Sequence, residues 1–342
     1  MGAKIGIRYP LIKGYCMIKQ FKTKLYIVFA AGAMLILSQS GFAQGAKNAL
    51  KTVIIDAGHG GRDPGARGLV STEAEVALSI ALKLGKELEQ AYPEINFIYT
   101  RKDANLPKGV TDPNLANRIR AEMANEAKGD LFISIHLNAT GQKAGGWYQK
   151  KIVGYKNKVV YVGKGKNRKK KLTKQPIYES YYVKNTRIGT ETYIWAADRS
   201  SAKSENIVLD EEDSGEDEPV DDPNNVLDLN SPEAKIRAQL YTKYFFRNSA
   251  LLAQFVEEEF ATAGRKSFGV KQRNHKGIWV LQATGMPSIL IETGFITNKE
   301  EEEYLVSDAG QKEVVQNIVS AFKRYKEELE NPRHAPRTAT GN

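Results

Sequence analysis

Cysteine is all but absent from this 342-residue chain; the only one is Cys16. It precedes the expected export cleavage point, so the mature chain is expected to hold no disulfide, no thiol nucleophile and no thiolate metal ligand. A hydrophobic core must then stabilise the fold. Histidine is scarce too, with four copies, so two of them at strand ends stand out. Acidic residues are missing from the first 43 positions, which carry Lys4, Arg8, Lys13, Lys19, Lys22 and Lys24. The apolar run from Leu25 to Leu37 is shorter than the roughly 20 residues of a membrane-spanning helix, so no stable membrane anchor is expected after cleavage. No internal repeat is evident.

What is present at the N-terminus is a basic stretch, that apolar run, and then Ser38-Gln39-Ser40-Gly41-Phe42-Ala43-Gln44. This is the pattern of a secretory signal cut after Ala43. Met17 is a plausible true start, which makes residues 1–16 an upstream extension. Without residues 1–43 the formal charge falls from +10 to +4, which weakens any nucleic-acid reading. A 41% hydrophobic composition suits a packed domain over residues 44–330, followed by a disordered tail, 331–342.

Residues 52–56, 96–99 and 131–135 read as buried strands, with further strands at 277–281 and 287–291 and from Gly189 to Trp195. Residues 73–91 read as a helix, because Val76, Ile80, Leu84 and Leu88 recur every four positions. Thr72 with Glu75 three residues on forms a capping box at its start. Helices also fit 114–127, 235–262 and 310–328. Alternating strands and helices predict an α/β fold, a twisted, mostly parallel sheet flanked by helices. Ligands in such folds sit at the carboxyl ends of the strands.

A long charged insertion, 141–235, interrupts this rhythm. Lys143 to Arg187 holds fourteen lysines and arginines against the single acid Glu179, with tyrosines interleaved. Glu205 to Asp222 then holds ten acids and no base, a pattern that is most often solvated and mobile.

The chemistry-bearing residues fall at strand ends. His59 lies in Asp56-Ala57-Gly58-His59-Gly60-Gly61, where an apolar strand enters a glycine-rich turn. His136 ends a buried strand, and as a bland alternative could be a satisfied core histidine. Glu73 and Glu75 compete for a carboxylate role; Glu75 is explained as the capping partner of Thr72, which leaves Glu73 free. Two histidines and one carboxylate are a usual catalytic zinc set that leaves one position open for water. Glu292 ends the run Pro287 to Ile291, where a buried carboxylate is costly unless paired or working. It could act as general base, or pair structurally with Arg101 or Arg118. Ser134, on the strand face of His136, is a candidate partner of the ligands, and Arg101 and Asn138 are candidates for ligand support or substrate contact. His275 is placed at the cleft rim rather than as a ligand, and His334 is incidental in the tail.

These residues, with Asp63-Pro64-Gly65-Ala66, Glu73 to Leu78, Thr100-Arg101, Leu115 to Asn125 with Arg118, Ser134 to Ala139 and Met286 to Asn298, resemble the zinc-dependent N-acetylmuramoyl-L-alanine amidases of the amidase 3 type. The resemblance covers most of 52–141 and 190–328. It implies that His59, Glu73 and His136 hold one zinc ion and that Glu292 is catalytic. The implied reaction is cleavage of the amide between N-acetylmuramic acid and the first L-alanine of the peptidoglycan stem, in wall remodelling or daughter-cell separation, by an exported protein of the periplasm or cell envelope. It also implies that the acidic 200–235 segment, with Ser231 to Asn248 as a candidate helix, blocks the site until an activator protein binds. The basic 143–187 stretch departs from the family pattern; its readings are a hairpin touching an anionic wall polymer or a partner, and solvated filler. Asn138 or backbone amides near Gly60 are the expected oxyanion donors. The alternatives are a zinc peptidase acting within stem peptides and an inactive wall-binding protein.

Overall fold

The structure, a computed structural model, describes Gly2, residues 50–197, Lys203, residues 232–273 and residues 277–330. The expected signal segment, the acidic run, His275 and the tail lie outside the described residues. Strands and helices follow in this order: β1 (Thr52–Ala57), α1 (Glu73–Ala91), β2 (Asn96–Tyr99), α2 (Pro113–Glu126), β3 (Leu131–Asn138), β4 (Gly146–Val162), β5 (Lys169–Lys184), β6 (Thr190–Ile194), α3 (Pro232–Thr262), β7 (Ser267–Gln272), α4 (Trp279–Ala283), β8 (Ser288–Phe295), α5 (Lys299–Val306) and α6 (Asp308–Glu330).

Six strands form one sheet in the order β2-β1-β3-β8-β6-β7. Every junction is parallel except β6 with β8. The strands are apolar on both faces because helices cover both. Val53 and Ile55 of β1 join Ile80 and Leu84 of α1, Val256 and Phe260 of α3, and Ile318 and Phe322 of α6 in one core. Ile54, one residue out of phase, joins Phe132, Leu290, Trp195, Leu281 and Ala124 on the opposite face. Val76, Ile80, Leu84 and Leu88 are all buried, as the period of four requires. Glu75 accepts hydrogen bonds from the Thr72 N–H (2.9 Å) and hydroxyl (2.8 Å). Its capping role leaves Glu73, two residues earlier, to face inward.

The expected strand at 277–281 is instead the short helix α4. Its run of apolar and β-branched residues reads as a strand locally. Both sides of β8, the strand that follows it, are taken by β3 and β6, so the segment does not pair beside β8. One helical turn places Val280, Leu281 and Ala283 in buried positions instead.

The basic stretch forms a separate two-stranded antiparallel sheet, β4 with β5. Its roots are tied to the domain: Gly145 N–H donates to Thr297 O (2.9 Å), and Asn298 Nδ2 donates to Asn185 O (2.9 Å).

Among the described residues no helix is long and apolar enough to cross a membrane.

Candidate metal centre

The carboxyl ends of β1, β3 and β8 come together at one edge of the sheet. His59 follows β1, His136 lies near the end of β3, and Glu292 is its register partner on β8. Glu73 enters from the first turn of α1. These four side chains line one cleft of about 400 Å³.

His59 Nε2 lies 3.1 Å from Glu73 Oε1, and His136 Nδ1 lies 2.9 Å from the same oxygen. The three donor atoms all fall within 4.8 Å of one another. In a tetrahedral site with ligand bonds of 2.0–2.2 Å, donors stand roughly 3.3–3.5 Å apart, so this set is close to the spacing a zinc ion needs. The orientations of His59 and Glu73 are fixed from behind. His59 Nδ1 is 2.8 Å from Asp63 Oδ2, which turns the lone pair of Nε2 toward Glu73. Glu73 Oε2 accepts from Ala66 N–H at 2.8 Å, and Oε1 accepts from Leu137 N–H at 3.1 Å. Two imidazoles, one carboxylate and a supporting carboxylate fit a divalent metal by chemistry as well as spacing.

The electrostatics agree. Burial disfavours a charged His59, yet the Glu73 and Asp63 carboxylates outweigh it and lift its pKa to about 9. Burial likewise opposes ionisation of Glu73, but His136 and His59 hold it well below the usual carboxylate range. The site therefore carries a negative field that favours a cation at the two imidazole nitrogens.

His59 sits at φ 59°, the left-handed region that an ordinary side chain rarely adopts. Two buried arginines hold it there. Arg120 donates to Ala57 O (2.7 Å) and His59 O (2.6 Å), and Arg101 donates to Gly58 O (2.8 Å), Ala57 O (2.9 Å) and Ala74 O (2.7 Å). Consecutive carbonyls of the turn are thereby clamped. Gly65 must be glycine, because a Cβ there would meet Glu73 Oε2 at 2.6 Å and His59 Cδ2 at 2.7 Å, and its φ is +64°.

Glu292 is 8% exposed, and its Oε2 is buried without a hydrogen-bond partner among the described residues. Burial, then the nearby Glu73 and Glu191 carboxylates, push its pKa up to about 8. Neither Arg101 nor Arg118 pairs with it. Arg101 donates to backbone carbonyls only, and Arg118 is exposed on α2. The buried arginine of α2 is Arg120, which pairs with Asp56. Ser134 Oγ also donates to Asp56, at 2.6 Å, so it supports the floor of the site and makes no hydrogen bond to His59, Glu73 or His136 among the described residues. Asn138 lines the cleft, but its Nδ2 donates to Glu191. Gly60 N–H is taken by Asp63 O (2.8 Å) and Gly61 N–H by Ala104 O (2.6 Å). The expected oxyanion donors thus have other partners. Arg273 lines the cleft and acts favourably on ionised Glu292.

The sequence alone gives no site role to Asp63, Arg120 or Glu191, although Asp63 and Arg120 stand within the motifs quoted above. Asp63 stands four residues after His59 in the glycine turn, within reach of its outer nitrogen. Arg120 shares a helix face with Ala116 and Ala124, the small buried positions four residues on either side. Glu191 has no such signal, because it lies at the start of a strand rather than its end.

A family profile described as N-acetylmuramoyl-L-alanine amidase matches residues 53–324. The amidase AmiC of Escherichia coli is 26% identical over 282 residues, covering 80% of this chain and 52% of the relative. AmiC of Neisseria meningitidis is 28% identical over 282 residues, with the same coverage of 80% and 52%. The chain thus spans about half the length of these relatives. The N-acetylmuramoyl-L-alanine amidase structure from Clostridium difficile superposes with a TM-score of 0.47 at 23% identity, over 82% of this chain and 98% of that one. The profile takes in every residue of the cleft named above, from His59 to Glu292, and by it the chain belongs to the N-acetylmuramoyl-L-alanine amidase family.

Proposed function

We propose that this chain is an exported, zinc-dependent amidase that cleaves the bond between N-acetylmuramic acid and the first L-alanine of the peptidoglycan stem. The observation that carries the proposal is the convergence of His59 Nε2, Glu73 Oε1 and His136 Nδ1 beside the unpartnered carboxylate of Glu292. A zinc ion held by the three ligands would polarise the lactyl carbonyl and lower the pKa of water toward about 7.

Glu292 is the proton carrier. A cation in the cleft would favour its ionised form; among the described residues its Oε2 has no competing hydrogen bond, so the carboxylate can accept a proton from the water that attacks the carbonyl carbon. As the C–N bond breaks, the same carboxyl group returns that proton to the amine nitrogen of L-alanine. One water is consumed, and a lactyl carboxylate and a free stem amine result. Asp63 keeps His59 in the tautomer that faces the ligand cluster. Arg101 and Arg120 keep the turn that carries His59 closed. Peptidoglycan is the proposed partner, and the cell envelope the proposed location. The acidic segment on which an activator is expected to act falls on residues outside those described, while residues 232–248 of the candidate helix Ser231 to Asn248 form the start of α3.

The test is digestion of purified sacculi, with and without chelator, with products resolved by mass. Free stem peptides beginning at L-alanine, lost on chelation and restored by zinc, are the expected result. Shortened stems still attached to glycan would replace this reading with a peptidase. No product from the full chain, but stem release after deletion of 200–235, would mean that the enzyme is autoinhibited; no product from either would replace this reading with a wall-binding protein.

A further inference from the structure

The β4–β5 hairpin is a long ribbon that packs against neither face of the main sheet, and a two-stranded hairpin alone is marginal in water. Its strands of 17 and 16 residues extend roughly 50–55 Å at about 3.3 Å per residue. The cleft and the ribbon are continuous in the chain. β3 ends at Asn138, which lines the cleft, and β4 begins at Gly146; β5 ends at Lys184, and β6 then carries Glu191 beside Glu292.

The two faces of the ribbon differ. Register partners share a face, so Tyr148 lies with Tyr182, and Ile152 with Tyr178. Strict alternation from Tyr148 would send Tyr155 and Tyr161 to the opposite side. A bulge between Ile152 and Gly154 adds one residue, pairs Tyr155 with Pro176 and Tyr161 with Lys170, and returns both tyrosines to the face of Tyr148. Leu172 joins the same face opposite Val159. All five tyrosines of this face are exposed, Tyr148 at 75% and Tyr155 at 61%; the sixth tyrosine of the ribbon, Tyr181, pairs with Gln149 on the opposite face. The ribbon from 146 to 184 carries twelve lysines and arginines and one acid, Glu179, which is already paired with Lys151 at 3.1 Å.

We propose that this tyrosine face is a docking surface for the glycan strands of peptidoglycan, holding the polymer while the cleft works on one of its stems. The inference rests on the amidase reading of the cleft. A tyrosine offers a flat apolar ring to the C–H face of a sugar and a hydroxyl to its polar edge. The lysines meet the carboxylates of the stem peptides. Rings spread over the whole length suit a linear polymer. A lipid surface is disfavoured by the tip, Gly163-Lys164-Gly165-Lys166-Asn167-Arg168, which holds no apolar side chain to insert. Two contacts on one polymer strengthen each other by raising the local concentration of the second.

The test uses the full chain with Glu292→Gln, so that binding is read without turnover, in co-sedimentation with purified sacculi. Changing Tyr148, Tyr155, Tyr161, Tyr178 and Tyr182 together to Ser is expected to weaken pelleting by about tenfold or more, the loss expected when aromatic anchors are truncated. Changing the same five to Phe, which keeps the rings, should retain most of it. An unchanged melting temperature and one zinc per chain in the Ser variant confirm that the domain still folds. Undiminished pelleting of the Ser variant overturns the proposal. Pelleting with phosphatidylglycerol vesicles or DNA but not with sacculi overturns it in favour of that polyanion. Cleavage of a soluble muramyl-peptide fragment by the unmodified chain is measured separately. If it is absent while sacculus binding needs the tyrosines, the amidase reading fails and the docking surface stands; the converse result sinks the docking surface alone.

Discussion

Glu191 and Glu292 are register partners across the antiparallel junction of β6 and β8, two buried carboxylates side by side. Their surroundings push them apart. Burial opposes ionisation of Glu191, but Lys271 at 2.6 Å, Tyr193 at 2.9 Å and Asn138 outweigh it and hold its pKa below the usual value. Glu292 has no such partner, and the charge on Glu191 adds to its difficulty in ionising. Two carboxylates with opposite shifts in one site divide the labour between a fixed charge and a proton carrier. Glu292→Gln should therefore retain one zinc per chain and lose turnover by about 10²–10⁴-fold. Loss of zinc together with activity would move Glu292 into the ligand set.

The same pair gives the metal-free protein a pH dependence. The Glu292 pKa is raised from 4.5 to about 8 on folding, so the folded state holds a proton that the unfolded state has released. Stability should fall as pH rises from about 4.5 to about 8, with the cost fully present above that window. The groups that act on it are Glu73, Glu191, Arg273 and His59. Urea unfolding of chelated protein across this range checks it. The fall should be shallower in Glu292→Gln, and identical slopes in the two proteins would count against the shift.

Asp63 touches His59 and no other member of the ligand set. Asp63→Asn keeps the shape of the side chain and removes its charge. Zinc affinity should drop by about 10–100-fold, the usual effect of losing a carboxylate behind a histidine ligand. Competition with a chromogenic chelator measures this, and an affinity equal to wild type would leave Asp63 as a turn residue only.

Much of this site is legible in the sequence because its residues stand at boundaries the sequence marks. Apolar runs end at His136 and Glu292, glycines surround His59, and the Thr72–Glu75 cap fixes where Glu73 falls. What stays hidden comes from pairing across the chain. The direction of β6 is not encoded in its own five residues; it is set by the neighbours it joins, and its reversal brings the first end of β6, with Glu191, to the edge where the other strands finish. Between Arg118 and Arg120 the local pattern gives no choice until α2 is seen to turn Arg120 toward Asp56. The segment at 277–281 has strand-like composition, yet it turns helical at Trp279 and buries Val280, Leu281 and Ala283, a choice set by packing and not by local composition. Period-two alternation alone would put Tyr155 and Tyr161 on the face opposite Tyr148, and the bulge returns them to it, leaving Tyr181 on the other side.

Asp56 and Arg120 lie directly beneath the ligands, and both are nearly inaccessible, at 1% and 2%. Burial works against the Asp56 carboxylate, but Arg120, Ser134 and Thr100 together hold its pKa below the usual value. Arg120→Met would strand this charge in the core, an effect expected to cost about 3–5 kcal/mol. The double change Arg120→Met with Asp56→Leu removes both charges, and should recover most of that loss. It should not recover zinc affinity, because Arg120 also donates to Ala57 O and His59 O and holds His59 in its left-handed conformation. Urea unfolding and zinc titration of the two variants separate these roles. Stability and metal affinity recovering together would mean that the ion pair alone matters, while recovery of stability without affinity locates the metal-positioning role in the two carbonyl bonds.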